Sequence, residues 1–204
     1  MKILAGVLAG MIAGLSMLSF HFVQSKDNIA NAQTLDEVNV YTVKKDDSLF
    51  KLGIKYGVSE LDLKKMNHKF SDKIKPGEKL IIPKPLITKA EKDLLARLVH
   101  AEAKGEPHAG KVAVALVVLN RVTDERFPDK IKDVIYEKRQ FQPVDNGSIN
   151  KPADPKAKKA VNEALALEGQ GHDSVFFFNP DKTSSKWLRT KTVTTEIGNH
   201  RFAK

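Results

Sequence analysis

Eight apolar residues, VAVALVVL, run unbroken over 112–119 inside a longer stretch, 109–122. A surface helix needs a polar stripe and a half-exposed strand needs alternation, and this run has neither. The segment therefore belongs at the centre of a core, as a helix or a fully buried strand. Its alanines and its length favour the helix. The chain has 204 residues, enough to build one ordinary domain or two small ones around such an element. With 41% apolar and 29% charged residues, its bulk is neither disordered nor a multi-span membrane protein.

The first uncharged run has a different character. Residues 3–20, ILAGVLAGMIAGLSMLSF, follow Lys2 with no charge and no polar face. Ala30-Asn31-Ala32 before Gln33 fits a small-x-small cleavage site. Residues 1–32 are thus read as a secretory signal or an N-terminal membrane anchor, since the run exceeds a usual signal core and approaches a spanning length. Residues 33–38 form a polar spacer. Cysteine is absent, which removes disulfides, thiolate metal sites, cysteine nucleophiles and a lipoprotein anchor together. The net charge is +9, with +5 in residues 39–85 and +5 in 86–204. For an exported protein that balance suits an anionic envelope polymer or a membrane surface, and nucleic acid is not expected as a partner.

Residues 39–84 read as a small module. Asn39 to Val43 is β-prone. Ser48 caps a helix with Leu49, Leu52 and Tyr56 on one face and Gly57 at its end. Ser59 caps a second helix that ends at Asn67. Lys75-Pro76-Gly77-Glu78 is a turn, and Lys79 to Pro83 is a closing strand. The stretches YTVKKDDSLFKLGIKYGV and IKPGEKLIIP, with Asn67 between them, resemble a LysM module. The resemblance implies a βααβ fold that binds N-acetylglucosamine-containing glycans between two loops. Those loops here carry Asp46, Asp47, Ser48 and Leu49, and Ile74, Lys75, Pro76 and Gly77. Asp46 stands where the family usually has Gly, and Asp tolerates the left-handed backbone better than most residues. Residues 85–93 are expected to be a linker.

The catalytic reading starts at residues 93–104. On a helix advancing about 100° per residue from Leu94, Leu95, Leu98 and Val99 define an apolar stripe and Glu102 falls inside it at about 80°. His100 and Arg97 fall on the opposite, wet side. A carboxyl group buried without a cation keeps its proton, and a protonated acid near neutral pH is what a glycosidic leaving oxygen needs. Gly105 ends the helix and opens space beside Glu102. A structural glutamate held by a hydrogen bond would satisfy the same placement. Glu106, before Pro107, is read as serving the start of the next helix. Asn120 and Arg121, at the end of the buried run, are placed to reach a cleft. No metal is expected: there is no His-Glu-x-x-His, and the six histidines have no ligand spacing. No Gly-x-Ser-x-Gly or phosphate loop is present.

The rest forms a second lobe: a short helix over 131–135, an extended 140–144, a turn at Asp145-Asn146-Gly147-Ser148, a helix from Asp154-Pro155, and β-prone stretches at 175–178 and 192–197. AEAKGEP at 101–107, VAVALVVLNRV at 112–122, FPDKIKDVIYEKRQFQPV at 127–144, FFFNP at 176–180, SKW at 185–187 and IGNHRF at 197–202 resemble, in order, the spore cortex-lytic (SleB/CwlJ-type) cell wall hydrolases.

That resemblance covers residues 94–204 and implies a lysozyme-like α+β domain with a glycan cleft, one catalytic Glu matching Glu102, and cleavage of muramyl glycan by lytic transglycosylation without a cofactor. Gln142, Asn179 and Trp187 suit sugar hydrogen bonding and stacking, with Asn120 as a further contact. Asp145, Asp181 and Glu196 are the candidates for a second carboxylate, which a hydrolase would need. The expectation is an exported, monomeric, α+β, two-module enzyme acting on peptidoglycan. A muramidase or glucosaminidase, or a non-catalytic wall binder, stands as the alternative. Spore cortex and vegetative wall are both open as substrates.

Overall fold

Four polar side chains, Ser48, Ser59, Thr88 and Asp154, cap the starts of four of the helices. The computed structural model describes residues 39–204; the signal or anchor read over 1–32 and the spacer at 33–38 lie outside the described residues. Strand β1 (Asn39–Thr42) leads to helix α1 (Leu49–Tyr56), whose cap Ser48 accepts the Lys51 N–H. Ser59 caps α2 (Glu60–Met66), and β2 (Lys79–Ile82) pairs antiparallel with β1, Tyr41 facing Leu80. Asn67 locks this module. Its Nδ2 donates to the Leu63 and Ile81 carbonyls at 2.8 Å each, and its Oδ1 accepts the Ile81 N–H at 2.7 Å. Val43, Leu49, Leu52, Val58, Leu63, Leu80 and Ile82 fill the small core between helices and hairpin.

Helix α3 (Lys89–Glu102) begins earlier than the apolar stripe indicates. Thr88 Oγ1 accepts the Glu91 N–H while Glu91 Oε2 accepts the Thr88 N–H, a reciprocal cap that carries the helix back to Lys89. The connection expected over 85–93 is therefore helical from 89 onward. Helix α4 (His108–Thr123) contains the eight-residue apolar run, and Val114, Ala115, Val117 and Val118 are fully buried. Around it pack α3, α5 (Ile131–Tyr136) and α7 (Pro155–Leu167), the last capped by Asp154. The segment expected to be extended at 140–144 is instead a single helical turn, α6 (Gln142–Asp145), with Pro143 in its first turn, where a missing N–H costs nothing. Strands β3 (Phe176–Phe178), β4 (Val193–Ile197) and β5 (His200–Ala203) form an antiparallel sheet in the order β3-β5-β4.

The small module is seated on α7. A β-carbon at Gly53 would lie 2.8 Å from the Val58 carbonyl and 3.0 Å from Cβ of Ala166, so only glycine permits this approach. Ser59 Oγ donates to the Glu168 carbonyl at 3.3 Å, and Leu61 lies against Gly169. Among the described residues no helix is long and apolar enough to cross a membrane.

Candidate active site

Glu102 is the last residue of α3, and the chain leaves it through Gly105 at φ 86°. That turn needs a left-handed backbone, which glycine takes without strain. The helix ends at the mouth of a cleft of about 590 Å³ bounded by α6 on one side and the β4–β5 turn on another. Glu102 is half-buried there. Burial pushes its carboxyl up to about 7, against the N–H of Gln142, which hydrogen-bonds it and pulls the other way. Near neutral pH the group is poised to give a proton and to take one back.

A second carboxylate shares the cleft, and it is Glu106. It is buried, 8% exposed. It does not cap α4, whose start at Pro107 has no side-chain cap. Its Oε2 accepts the Asn199 N–H and its Oε1 accepts Asn199 Nδ2, both at 3.0 Å, and His200 Nδ1 stands 3.8 Å away. Burial alone would raise this carboxyl. The Asn199 donors, with the charges of His200 and Lys111, more than offset that and hold it below the ordinary carboxylate range. Lys111 Nζ also donates to the Glu106 carbonyl. The cleft thus pairs a carboxyl that keeps its proton with a carboxylate that does not. Asp145, Asp181 and Glu196 do not line it; Glu196 pairs instead with Arg201 at 2.8 Å.

Of the residues singled out in the sequence, Gln142 and Asn179 line the cleft with Glu102. Asn179 Oδ1 also accepts the Asp181 N–H, closing the turn after β3. Asn120 does not reach the cleft. Its Nδ2 donates to the carbonyls of His172 and, at 2.9 Å, Ser174, on the side of α4 that faces the small module. One residue on, a turn of about 100° puts Arg121 on the cleft side instead. Arg121 is 5% exposed, donates to the Val175 carbonyl at 2.7 Å and to Gln140 Oε1 at 3.0 Å, and is lowered by burial to about 10 against the opposing charge of Glu137. Trp187 lies outside the cleft, in an adjoining groove. Arg97 and His100 are on a face that is only partly wet. Arg97 donates to the Ile149 carbonyl and His100 stands 3.4 Å from Asp154, because the 148–154 segment covers that side of α3.

The cleft residues that sequence reasoning passed over are Glu106, Asn199 and His200. The Gly198-Asn199 turn directly after a β-prone stretch was the available signal. Among the described residues no group of three or more His, Cys, Asp or Glu could hold a metal ion.

In the small module the Gly77 N–H donates to the Val43 carbonyl at 2.8 Å, which holds the 74–77 turn beside the end of the first strand. Asp46 holds φ 68°, the left-handed turn expected of it. Asp46, Lys75, Pro76 and Gly77 are exposed and Ile74 is half-buried. Three of the expected contact residues are engaged within the module itself. Leu49 is 0% exposed in the core, Ser48 caps α1, and Asp47 accepts from Tyr41 Oη at 2.8 Å and the Lys44 N–H at 2.7 Å.

Residues 105–203 match the family described as Cell Wall Hydrolase, a match that opens just after Glu102, and residues 41–83 match the LysM domain. Over 111 residues the chain is 42% identical to the spore cortex-lytic enzyme of Bacillus cereus, covering 54% of this chain and 43% of that protein. It is 40% identical over 111 residues to the spore cortex-lytic enzyme of Oceanobacillus iheyensis, covering 54% of this chain and 40% of that protein. The chain thus spans less than half the length of these curated relatives. The catalytic domain of the germination-specific lytic transglycosylase SleB from Bacillus anthracis aligns with a TM-score of 0.56 at 39% identity, over 60% of this chain and 100% of that one. The catalytic domain of the Bacillus cereus SleB protein aligns with a TM-score of 0.55 at 40% identity, over 60% of this chain and 95% of that one.

Proposed function

This chain belongs to the cell wall hydrolase family, and from that membership and the geometry of its cleft we propose that it cleaves the glycan strand of peptidoglycan as a lytic transglycosylase. The substrate bond joins N-acetylmuramic acid to N-acetylglucosamine. Glu102 gives its proton to the glycosidic oxygen as the C1–O bond breaks. The carboxylate so formed takes the proton from the muramoyl 6-hydroxyl, whose oxygen closes on C1 to leave a 1,6-anhydro end. One acid/base suffices, and Glu102 ends the cycle protonated as it began. Gln142 orients the carboxyl through its N–H, and Asn179 offers hydrogen bonds to the sugar. The observation that carries this reading is a carboxyl lifted to about 7 at the wall of a polar cleft.

Glu106 supports a second reading, hydrolysis by a muramidase, because it puts another carboxylate in the same cleft. It is only 8% exposed, however, and each of its oxygens already accepts a bond from Asn199, which restricts its room to seat a water or attack C1. Mass spectrometry of muropeptides released from purified wall separates the two: anhydro ends for the transglycosylase, reducing ends for the hydrolase. Release of nothing by the native protein would favour a non-catalytic wall binder. Cortex and vegetative wall serve as parallel substrates, the spore cortex-lytic relatives pointing to the first. The LysM-like module binds the same polymer through its paired loops, and the uncharged N-terminal segment directs export and holds the protein at the outer face of the membrane or frees it into the wall. The working unit is a monomer.

A further inference from the structure

The groove that holds Trp187 adjoins the Glu102 cleft. The two share Arg121, Gln140 and Phe177 as a common wall, and the groove adds about 530 Å³. Its chemistry differs from that of the cleft. Four cations line it, Arg121, Arg126, Arg139 and Lys191, and no acidic residue does. Only Arg126 is neutralised at contact range, by Asp124 through bonds of 2.9 and 2.6 Å. Glu137 acts on Arg121 without forming an ion pair, and among the described residues no carboxylate pairs with Arg139 or Lys191. Arg121 is buried and stacked over Phe127, Phe141 and Phe176 at 4.8 to 5.7 Å, a fixed cation rather than a solvated one. Arg139 holds φ 63°, a conformation costly for a side-chain-bearing residue. Trp187 is 56% exposed, set edge-on against Phe176 at 5.1 Å, with Lys191 Nζ 4.1 Å from its ring centre. An exposed indole beside unneutralised cations is a surface for a sugar ring that carries an anion.

We propose that this groove is a subsite for a carboxylate borne on the muramoyl unit next along the strand, either the lactyl acid itself or the peptide joined to it. The inference rests on the glycan-cleaving reading above. It makes Trp187, Arg139 and Lys191 specificity residues, remote from the bond that breaks, which favour strands with free carboxylates.

Trp187 is the chain's single tryptophan, so its fluorescence reports on the groove alone. Full-length protein carrying Glu102→Gln, to prevent turnover, is titrated with three soluble glycan strands: peptide-free with free lactyl carboxylates, peptide-bearing with free carboxylates, and the peptide-bearing strand with every carboxylate converted to a methyl amide. We expect a carboxylate-bearing strand to shift Trp187 emission and bind about tenfold tighter than the amidated one, with the preference shrinking as salt rises. Tight binding of the peptide-free strand assigns the lactyl acid, and preference for the peptide-bearing strand alone assigns the peptide. Lys191→Glu combined with Arg139→Glu should erase the ratio, and Lys191→Gln should reduce it. Equal binding of amidated and free strands overturns the subsite, a comparison that needs no change in the groove. Muropeptide release by the native protein is measured alongside. Release without carboxylate preference removes the subsite and leaves the cleaving function, while preference without release does the reverse.

Discussion

Glu106 and Asn199 are 93 residues apart in sequence and meet twice, through the Asn199 N–H and its side-chain amide, each 3.0 Å from a different carboxylate oxygen. This contact ties the α3–α4 junction to the β4–β5 turn, so two walls of the cleft are set against each other by one buried side chain. Gly198 makes the approach possible. It holds φ 58°, and a β-carbon there would collide with Glu106 Oε2 and lie 2.8 Å from Cδ of Pro107.

Gly198→Ala should therefore destabilise the protein by at least about 2 kcal/mol, since it adds both a left-handed strain and an overlap. Glu106→Ala should also destabilise, by leaving the Asn199 donors unpaired. Denaturant midpoints check both. The lowered Glu106 carboxyl adds stability that is present above the unfolded carboxylate pKa and fades as pH falls through its folded value.

Activity should decline as pH rises through about 7, because the proton that Glu102 is proposed to donate is lost there. Initial rates of muropeptide release across pH 5 to pH 9 test this, with ~pH 7 as the expected inflection of the basic limb. Glu102→Gln should lower release by about a thousandfold or more while sedimentation with wall fragments is retained. A variant that still lyses wall at the native rate would remove Glu102 from the mechanism.

The same carboxyl weakens the fold where it is ionised. Its folded pKa is raised, so native protein binds the proton more tightly than unfolded chain, and stability falls as pH climbs from about 4.5 to about 7. At pH 8 the penalty approaches about 3 kcal/mol. Glu102→Gln, which cannot ionise, should melt higher than the native protein at pH 8 and close to it at pH 4, as read by calorimetry.

The seating of the small module depends on Gly53. Gly53→Leu should lift α1 from α7, because the added side chain would occupy the space of the Val58 carbonyl and Ala166. Faster proteolysis within residues 83–88 and weaker wall sedimentation are the expected readouts. Asn67→Ala should unfold the module more directly, with a loss of about 2 to 3 kcal/mol from three broken hydrogen bonds.

Excess chelator should leave muropeptide release unchanged, as the proton transfers are assigned to Glu102 and the described residues hold no metal-binding cluster. Loss of activity that returns on adding zinc or magnesium would overturn that expectation.

Much of this protein is written locally in its sequence. The βααβ order, the caps at Ser48, Ser59 and Asp154 and the central α4 follow from spacings of a few residues, where backbone geometry relates side chains rigidly. Glu102 falls on the apolar stripe of α3 for the same reason. Tertiary structure decided what local spacing leaves open: that Asn120 faces the module and Arg121 the cleft, and that Trp187 lies in an adjoining groove. It also decided that Glu106 serves a turn 93 residues away rather than its own helix. Helical periodicity says which side chains share a face. Which partner covers that face depends on how distant segments pack, and no short stretch of sequence encodes that.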